Sequence, residues 1–429
     1  MKTIIYQALT RLWGNGKFSA WDSASFEYLR TLGVDCIWYT GVPRHATGKP
    51  FVKGDPGSPY AISDWFDVNP YLADDPAERI SEFEALVHRT HQAGFKVLID
   101  YIPNHVAPDY QGGIVHHDWC DGDWTDTLKN DWSRPETEAE MLEILKFWAS
   151  KGVDGFRCDM VELVPAEALR RLISAVRREY PSMIFVAEVY GKEGYRHYLD
   201  HVGFDLLYDK SGLYDTLRAV TCSGHTARAI TWNWQFLGDM QPRMLNFLEN
   251  HDEQRLASPQ FAGSPQKGYA ALAVSLLFND APFMLYFGQE VGEDAAEGAE
   301  GRTSIFNWSK PEHLAHLYGY IRSGKGLKRP ESQVLSRYRK LLGYAKMPVF
   351  SSGACWDLGY CNADSEGFDA DRHFAFIRYN DSAAYLVVCN FSGDDADMEI
   401  KIPAEAGGHF KSSSCRVSVP SFDAAVVKI

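Results

Sequence analysis

Short apolar runs recur along most of the chain, each about the length of a strand and many followed by an amphipathic stretch. They are Thr3–Leu9, Cys36–Gly41, Lys96–Tyr101, Gly155–Met160, Ile184–Tyr190, Phe204–Tyr208, Met244–Glu249 and Pro282–Phe287. Runs this continuously apolar suit strands buried on both faces. Helix-like segments lie between several of them, Ala77–Ala93 and Pro165–Glu179 among them. Alternating strands and helices predict a parallel sheet, and eight such units predict a closed (β/α)8 TIM barrel.

One interval is longer than a single βα unit needs, that between Asp100 and Asp159. The excess is assigned to a short inserted loop region after the third strand, over 106–135, rich in Asp, Gly, Trp and His and without periodicity. Long loops at the C-terminal ends of barrel strands build active sites. After about Lys346 the pattern changes. His373–Tyr379, Ala384–Asn390, Met398–Ile402 and Ala424–Ile429 read as short strands separated by turn residues such as Ser392-Gly393-Asp394-Asp395. The expected organisation is a barrel over 1–346, including the loop 106–135, and a C-terminal antiparallel β-sandwich over 347–429.

With 429 residues, 45% of them hydrophobic, the chain is large enough for a barrel and a small module. Its net charge of −14, from 43 Lys+Arg against 57 Asp+Glu, repels phosphate backbones and argues against nucleic acid as a partner. No run approaches the roughly 18 apolar residues of a membrane span, so no membrane partner is expected either. Met1–Tyr6 resembles the start of a signal peptide, but its apolar run is short, Arg11 interrupts it and no small-residue cleavage site follows, so this stretch is assigned to the first strand. Eight irregularly spaced cysteines form no close CxxC pair, which argues against zinc. Cys36, Cys158 and Cys389 lie in apolar runs, where a free thiol behaves as a small hydrophobe. The expectation is a cytoplasmic protein, with export after removal of a signal as the alternative.

Four strand ends carry charge: Asp100-Tyr101-Ile102-Pro103-Asn104-His105, Gly155-Phe156-Arg157-Cys158-Asp159, Phe185-Val186-Ala187-Glu188-Val189 and Phe247-Leu248-Glu249-Asn250-His251-Asp252. Buried carboxylates are rare unless paired or functional. Strand alternation puts Arg157 and Asp159 on one face and Phe156 and Cys158 on the other. One acid at a strand end most often braces a loop. Acids, histidines and an arginine at four strand ends make a constellation. Paired carboxyls suit glycoside hydrolysis, one as nucleophile and one as proton donor, with retention when they lie about 5–5.5 Å apart. An arginine beside the nucleophile would hold it ionised, and partial burial would keep the acid protonated.

These segments resemble the four signature regions of the α-amylase family of glycoside hydrolases. The resemblance spans the barrel and the C-terminal domain. It implies Asp159 as nucleophile, Glu188 as acid/base and Asp252 as transition-state stabiliser. It also implies Arg157 as the brace of the nucleophile, and His105 and His251 as hydrogen-bonding partners of sugar hydroxyls. Gly57-Ser58-Pro59-Tyr60 resembles the segment whose tyrosine stacks on the sugar at the cleavage point, so Tyr60 joins the substrate-binding set. Phe287-Gly288-Gln289-Glu290 and Asn307-Trp308 look like the eighth-strand region. Trp124, Trp132, Trp232 and Trp234 are further candidates for sugar contact, and Trp356 and Tyr360 are candidates on the C-terminal domain.

Two departures stand out. Many members carry Lys-His three and four residues after the nucleophile; here Glu162 and Leu163 stand there. Asn104 matches a calcium ligand of many members, but the short loop offers no clear partner set for a cation that takes six to eight oxygens. The metal is therefore left unassigned. The chemistry is expected to need no cofactor, and a structural calcium stays open. The expected activity is retaining cleavage of α-1,4-glucosidic bonds in starch-like glucans or maltooligosaccharides. A transglycosylase and an α-1,6-acting glucosidase of the same family would share the trio. A non-catalytic glucan-binding protein is the reading from another class; such relatives lose catalytic carboxylates, and all three are present here.

Overall fold

In the computed structural model, which describes residues 1–406 and 413–429, each of the eight apolar runs contains a strand. These are β1 (Ile4–Leu9), β2 (Cys36–Thr40), β3 (Lys96–Tyr101), β4 (Gly155–Cys158), β5 (Ile184–Ala187), β6 (Leu206–Tyr208), β7 (Met244–Phe247) and β8 (Phe283–Tyr286). They lie in sequence order and close into a barrel, with β8 next to β1. β1, β2, β4, β7 and β8 are buried at every position, which is why their sequences run apolar without alternation.

Three strands end two or more residues earlier than the apolar runs that announced them. β4 stops at Cys158, β5 at Ala187 and β7 at Phe247. Asp159 and Glu188 lie just past the regular ladder, though their N–H groups still donate to Tyr101 O at 2.9 Å and Cys158 O at 3.1 Å. Met160 then turns into the left-handed region, φ 42, and ends the extended backbone. The register sets Asp100 opposite Arg157, and Cys158 opposite Ala187. The residues that follow on each strand therefore emerge at one level.

The helices follow their sequence periodicity. α1 (Arg79–Gln92) and α2 (Ala166–Glu179) match the two predicted segments within two residues. α2 buries Leu169, Leu172, Ile173 and Val176 at helical spacing, each worth about 1.5–3 kcal/mol of transfer free energy. The loop after β3 is more ordered than its sequence suggests. His105–Val106 pairs antiparallel with Leu128–Lys129, and Asn130 N–H donates to Asn104 O at 2.9 Å.

The chain divides into two compact units, neither continuous in sequence. One comprises Ile5–Tyr208 and Thr303–Gly326; the other comprises Met1–Ile4, Asp209–Arg302 and Leu327–Ile429. The second contains the C-terminal strands β9 (Ala354–Asp357), β10 (His373–Asn380), β11 (Ala383–Asn390), β12 (Ala396–Lys401), β13 (Ser414–Val419) and β14 (Ala424–Lys428). β9, β10, β11 and β14 form one antiparallel sheet, and β12 pairs with β13. Both sheets feed one core, in which Ile377, Leu386 and Val388 pack with Met398, Ile400 and Val417. The expected strands omit β9 and β13: β9, Ala-Cys-Trp-Asp, is half-buried and shows no alternation, whereas β13, Ser-Cys-Arg-Val-Ser-Val, does alternate polar and apolar residues as a half-buried strand does. The C-terminal sheet is anchored within this unit by buried Arg378, which donates to Phe278 O at 3.0 Å and Gly353 O at 2.6 Å and pairs with Asp280. The Phe278 ring lies 4.9 Å from Phe374 and 5.0 Å from Phe376.

All eight cysteines are thiols, none of them in a disulfide. Among the described residues, no helix is long and apolar enough to cross a membrane.

Candidate active site

The strand ends of the first unit converge on one guanidinium. Arg157 is fully buried on β4. Its Nη1 donates to Asp159 Oδ1 at 2.6 Å, and its Nη2 lies 2.8 Å from Glu188 Oε2. Asp100 Oδ1 is 3.8 Å from the same Nη1. Three rings surround the cation, those of Trp38, Tyr60 and Tyr208, with centroids at 5.6, 5.5 and 5.5 Å. A charge so deep needs partners, and here three carboxyls and three ring faces supply them.

Each carboxyl has its own supports. Asp100 accepts from Trp38 Nε1 at 3.0 Å and from the Tyr60 hydroxyl at 3.1 Å. Glu188 accepts from Met160 N–H at 3.0 Å and from the Tyr190 hydroxyl at 2.8 Å. Met160, whose N–H makes this bond, has a left-handed backbone that is costly for a residue with a Cβ. Glu162 lies just beyond. Its carboxylate accepts from Tyr190 N–H at 2.7 Å and Gly191 N–H at 2.9 Å, fixing the backbone of the tyrosine that holds Glu188.

Burial dominates the titration of this cluster. It pushes Asp100 up to about 7, against the pull of Arg157 and the two hydrogen bonds. It also lifts Asp159 above the ordinary aspartate value, although Arg157 pulls the other way. The expected depression of Asp159 by its arginine is thus present as a force and outweighed by desolvation. Glu188 is raised by burial as well; Arg157 opposes, the neighbouring Asp159 adds, and the Met160 and Tyr190 bonds oppose again. A buried carboxyl that keeps its proton is suited to donate it.

Tyr60 and His105 border this centre. Tyr60 is buried and reaches its place through the turn at Gly57, φ 75, where an added Cβ would meet Ala46 O at 2.1 Å. His105 is buried, its centroid 5.4 Å from Trp124, and burial lowers its pKa to about 4, so it is a neutral hydrogen-bonding group at pH 7.

The second unit holds the fourth signature segment at the end of β7. Asn250 Oδ1 accepts from the N–H groups of Asp252, at 2.9 Å, and Glu253, at 2.8 Å. His251 Nε2 lies 3.0 Å from Asp252 Oδ2, and Arg302 Nη1 donates to Asp252 O at 2.9 Å. The Asp252 side chain remains 37% exposed while His251 is buried. Beneath them Glu249 pairs with Arg255 at 3.0 Å, and burial raises Glu249 to about 7.

Of the other aromatic candidates, Trp124 lies by His105, whereas Trp132 donates its Nε1–H to Pro103 O at 3.1 Å and braces the loop. Trp232 and Trp234 lie on helix α3 (Arg228–Leu237) and not at a strand end. Trp234 packs 5.6 Å from Phe278, and Trp232 borders a cavity with Tyr360, on the short helix Gly359–Asn362, and Phe374 of β10. Trp38, Tyr190 and Tyr208 are site residues that the sequence patterns do not single out. Tyr190 carries a usable signal, since it follows Glu188 by two residues and alternation returns it to the same face.

The residues about Asn104 do not suit calcium. Asn104 Oδ1 accepts from Lys129 Nζ at 3.0 Å, and the same ammonium lies 3.2 and 2.9 Å from the two oxygens of Asp121. The oxygens a cation would need already surround one.

Comparison with known proteins gives a family. The model of the α-amylase catalytic domain matches residues 23–126 and 117–313, more than half of the chain. The chain is 26% identical to alpha-amylase MalA of Haloarcula japonica, over 95% of this chain and 57% of that protein. It is 21% identical to an intracellular maltogenic amylase of Bacillus subtilis, over 72% of this chain and 54% of that protein. It thus spans little more than half the length of these two relatives. A maltogenic alpha-amylase from Thermotoga neapolitana superposes with a TM-score of 0.72 at 23% identity, covering 100% of this chain and 96% of that one. An alpha-amylase from Lactobacillus plantarum gives 0.73 at 20% identity, covering 100% and 98%.

Proposed function

This chain belongs to the α-amylase family, and from that premise we propose that it is a retaining glycoside hydrolase acting on α-1,4-linked glucose chains, starch-like glucans or maltooligosaccharides. The observation that carries the reading is the pairing of Asp159 and Glu188 on the single guanidinium of Arg157. Asp159 attacks the anomeric carbon while Glu188 protonates the departing oxygen. Glu188 then deprotonates the water that releases the glycosyl-enzyme. Asp252 serves as the third carboxylate, with His105 and His251 on sugar hydroxyls and Tyr60 against the sugar ring. The raised Glu188 supports its role as acid. No cofactor takes part in these steps. Eight cysteines without a disulfide support a reducing, cytoplasmic setting.

Transfer to a sugar acceptor is the second reading. It is favoured by Glu162, which stands where many members hold the leaving-group sugar and is engaged with backbone N–H groups. Incubation with maltoheptaose separates the two. Shorter oligosaccharides with retained α-configuration by NMR support hydrolysis, longer products support transfer, and an inverted anomer overturns the mechanism. Asp159→Asn is expected to lower kcat by at least about 10⁴-fold, as loss of a catalytic nucleophile does; a variant within tenfold of wild type would remove Asp159 from that role.

A further inference from the structure

Asn104 resembles a residue that, in many members of this family, holds calcium. Here its surroundings are built for something else. Lys129 enters from the second strand of the short ribbon, directly opposite His105. Its ammonium has three donors, and three oxygens lie around it: Asn104 Oδ1 at 3.0 Å and Asp121 Oδ1 and Oδ2 at 3.2 and 2.9 Å. Asn104 completes the ring by donating its own amide to Asp121 Oδ2 at 2.8 Å. Asn104 is fully buried, and the Lys129 side chain is only 17% exposed. The backbone of Lys129 is fixed on both sides, its N–H to Trp119 O at 2.9 Å and its C=O to His117 N–H at 2.7 Å. Burial alone would raise Asp121; the bonds from Asn104 and Lys129 outweigh it and hold the carboxyl below its ordinary value.

We propose that the Lys129 ammonium is a built-in cation, standing where relatives would place a divalent ion and making the fold of the loop after β3 independent of calcium. Electrostatics favour this arrangement over an added ion. A calcium at this point would need its oxygens at 2.3–2.6 Å, displacement of Lys129, and several further ligands. A second positive centre next to the ammonium would be repelled. The loop so pinned carries His105 and Trp124, so the site's rim depends on a residue and not on the calcium concentration.

The test uses the full chain, dialysed against EDTA and then titrated with CaCl2. Calorimetry is expected to show no stoichiometric binding, and Tm and the rate of chymotryptic cleavage within 106–135 are expected to be the same with EDTA and with calcium. In K129M, cleavage in that loop is expected to accelerate by about tenfold, the opening of a segment that lost its central ion pair. One calcium bound per chain, with a Tm rise that D121N abolishes, would overturn the proposal. Unchanged loop cleavage in K129M would overturn it equally. If K129M fails to accumulate, the wild-type titration decides alone.

Discussion

Replacing Tyr190 with Phe removes one hydroxyl from Glu188, the proposed acid/base, and nothing else of its ring. That hydroxyl donates to Glu188 Oε1 at 2.8 Å, inside a site where Glu188 is 3% exposed. A hydrogen bond to a buried charged group is worth about 1.5–3 kcal/mol, and it favours the ionised form. Part of that survives in the variant, because Met160 N–H still donates to Oε2 at 3.0 Å. We therefore expect about 1.4 kcal/mol of differential effect, which is about one pKa unit. The sign follows: losing a bond that favours the carboxylate raises the pKa, so Glu188 keeps its proton to higher pH. The assay is kcat/KM for maltoheptaose between about pH 5 and 9, whose alkaline limb reports the acid of the free enzyme. Because Asp159 and Glu188 titrate as a pair, the limb gives the pair's upper apparent value. It is expected to move up by about one unit in Y190F, with the far-ultraviolet circular dichroism unchanged. A limb that stays in place, or moves to lower pH, would refute the assignment of Tyr190 as the group that tunes Glu188.

Two further outcomes test the scaffold. Arg378→Met leaves the carbonyls of Phe278 and Gly353 and the Asp280 carboxylate without their buried cation; it should cost about 3 kcal/mol and lower Tm by a few degrees, and an unchanged Tm would show that the anchor is idle. His45 is buried between Pro56 O and Asn69, and burial lowers its pKa to about 3. The unfolded chain binds this proton near pH 6.5 and the folded chain does not, so acidification from about 6.5 toward 3 should remove up to about 1.4 kcal/mol of stability per pH unit through this group. His45→Gln cannot charge and should lose stability less steeply over that range in urea titrations; equal slopes would refute the account.

Much of the site is legible in the amino-acid order alone, for one reason. A closed parallel barrel demands apolar strands, so Asp100, Arg157, Asp159, Glu188 and Asp252 at strand ends stand out against their background. The eight strands are legible on the same ground, and the C-terminal sheets in part, through the runs that become β10, β11, β12 and β14. The remainder depends on residues distant in sequence meeting in space. Trp38, Tyr60 and Tyr208 come from three separate segments to enclose Arg157, and no local pattern ties them together. Lys129 meets Asn104 only because a two-residue ribbon folds the loop back on itself, a pairing too short to leave a periodicity. Trp232 and Trp234, candidates for the cleft by composition, lie on a helix beside the C-terminal sheets, since aromatic residues serve cores and clefts alike. The sequence by itself determined which groups could do chemistry and on which strands they lie. Tertiary structure decided their protonation and their company, because desolvation and the geometry of hydrogen bonds depend on everything packed around a group and not on its neighbours in the chain.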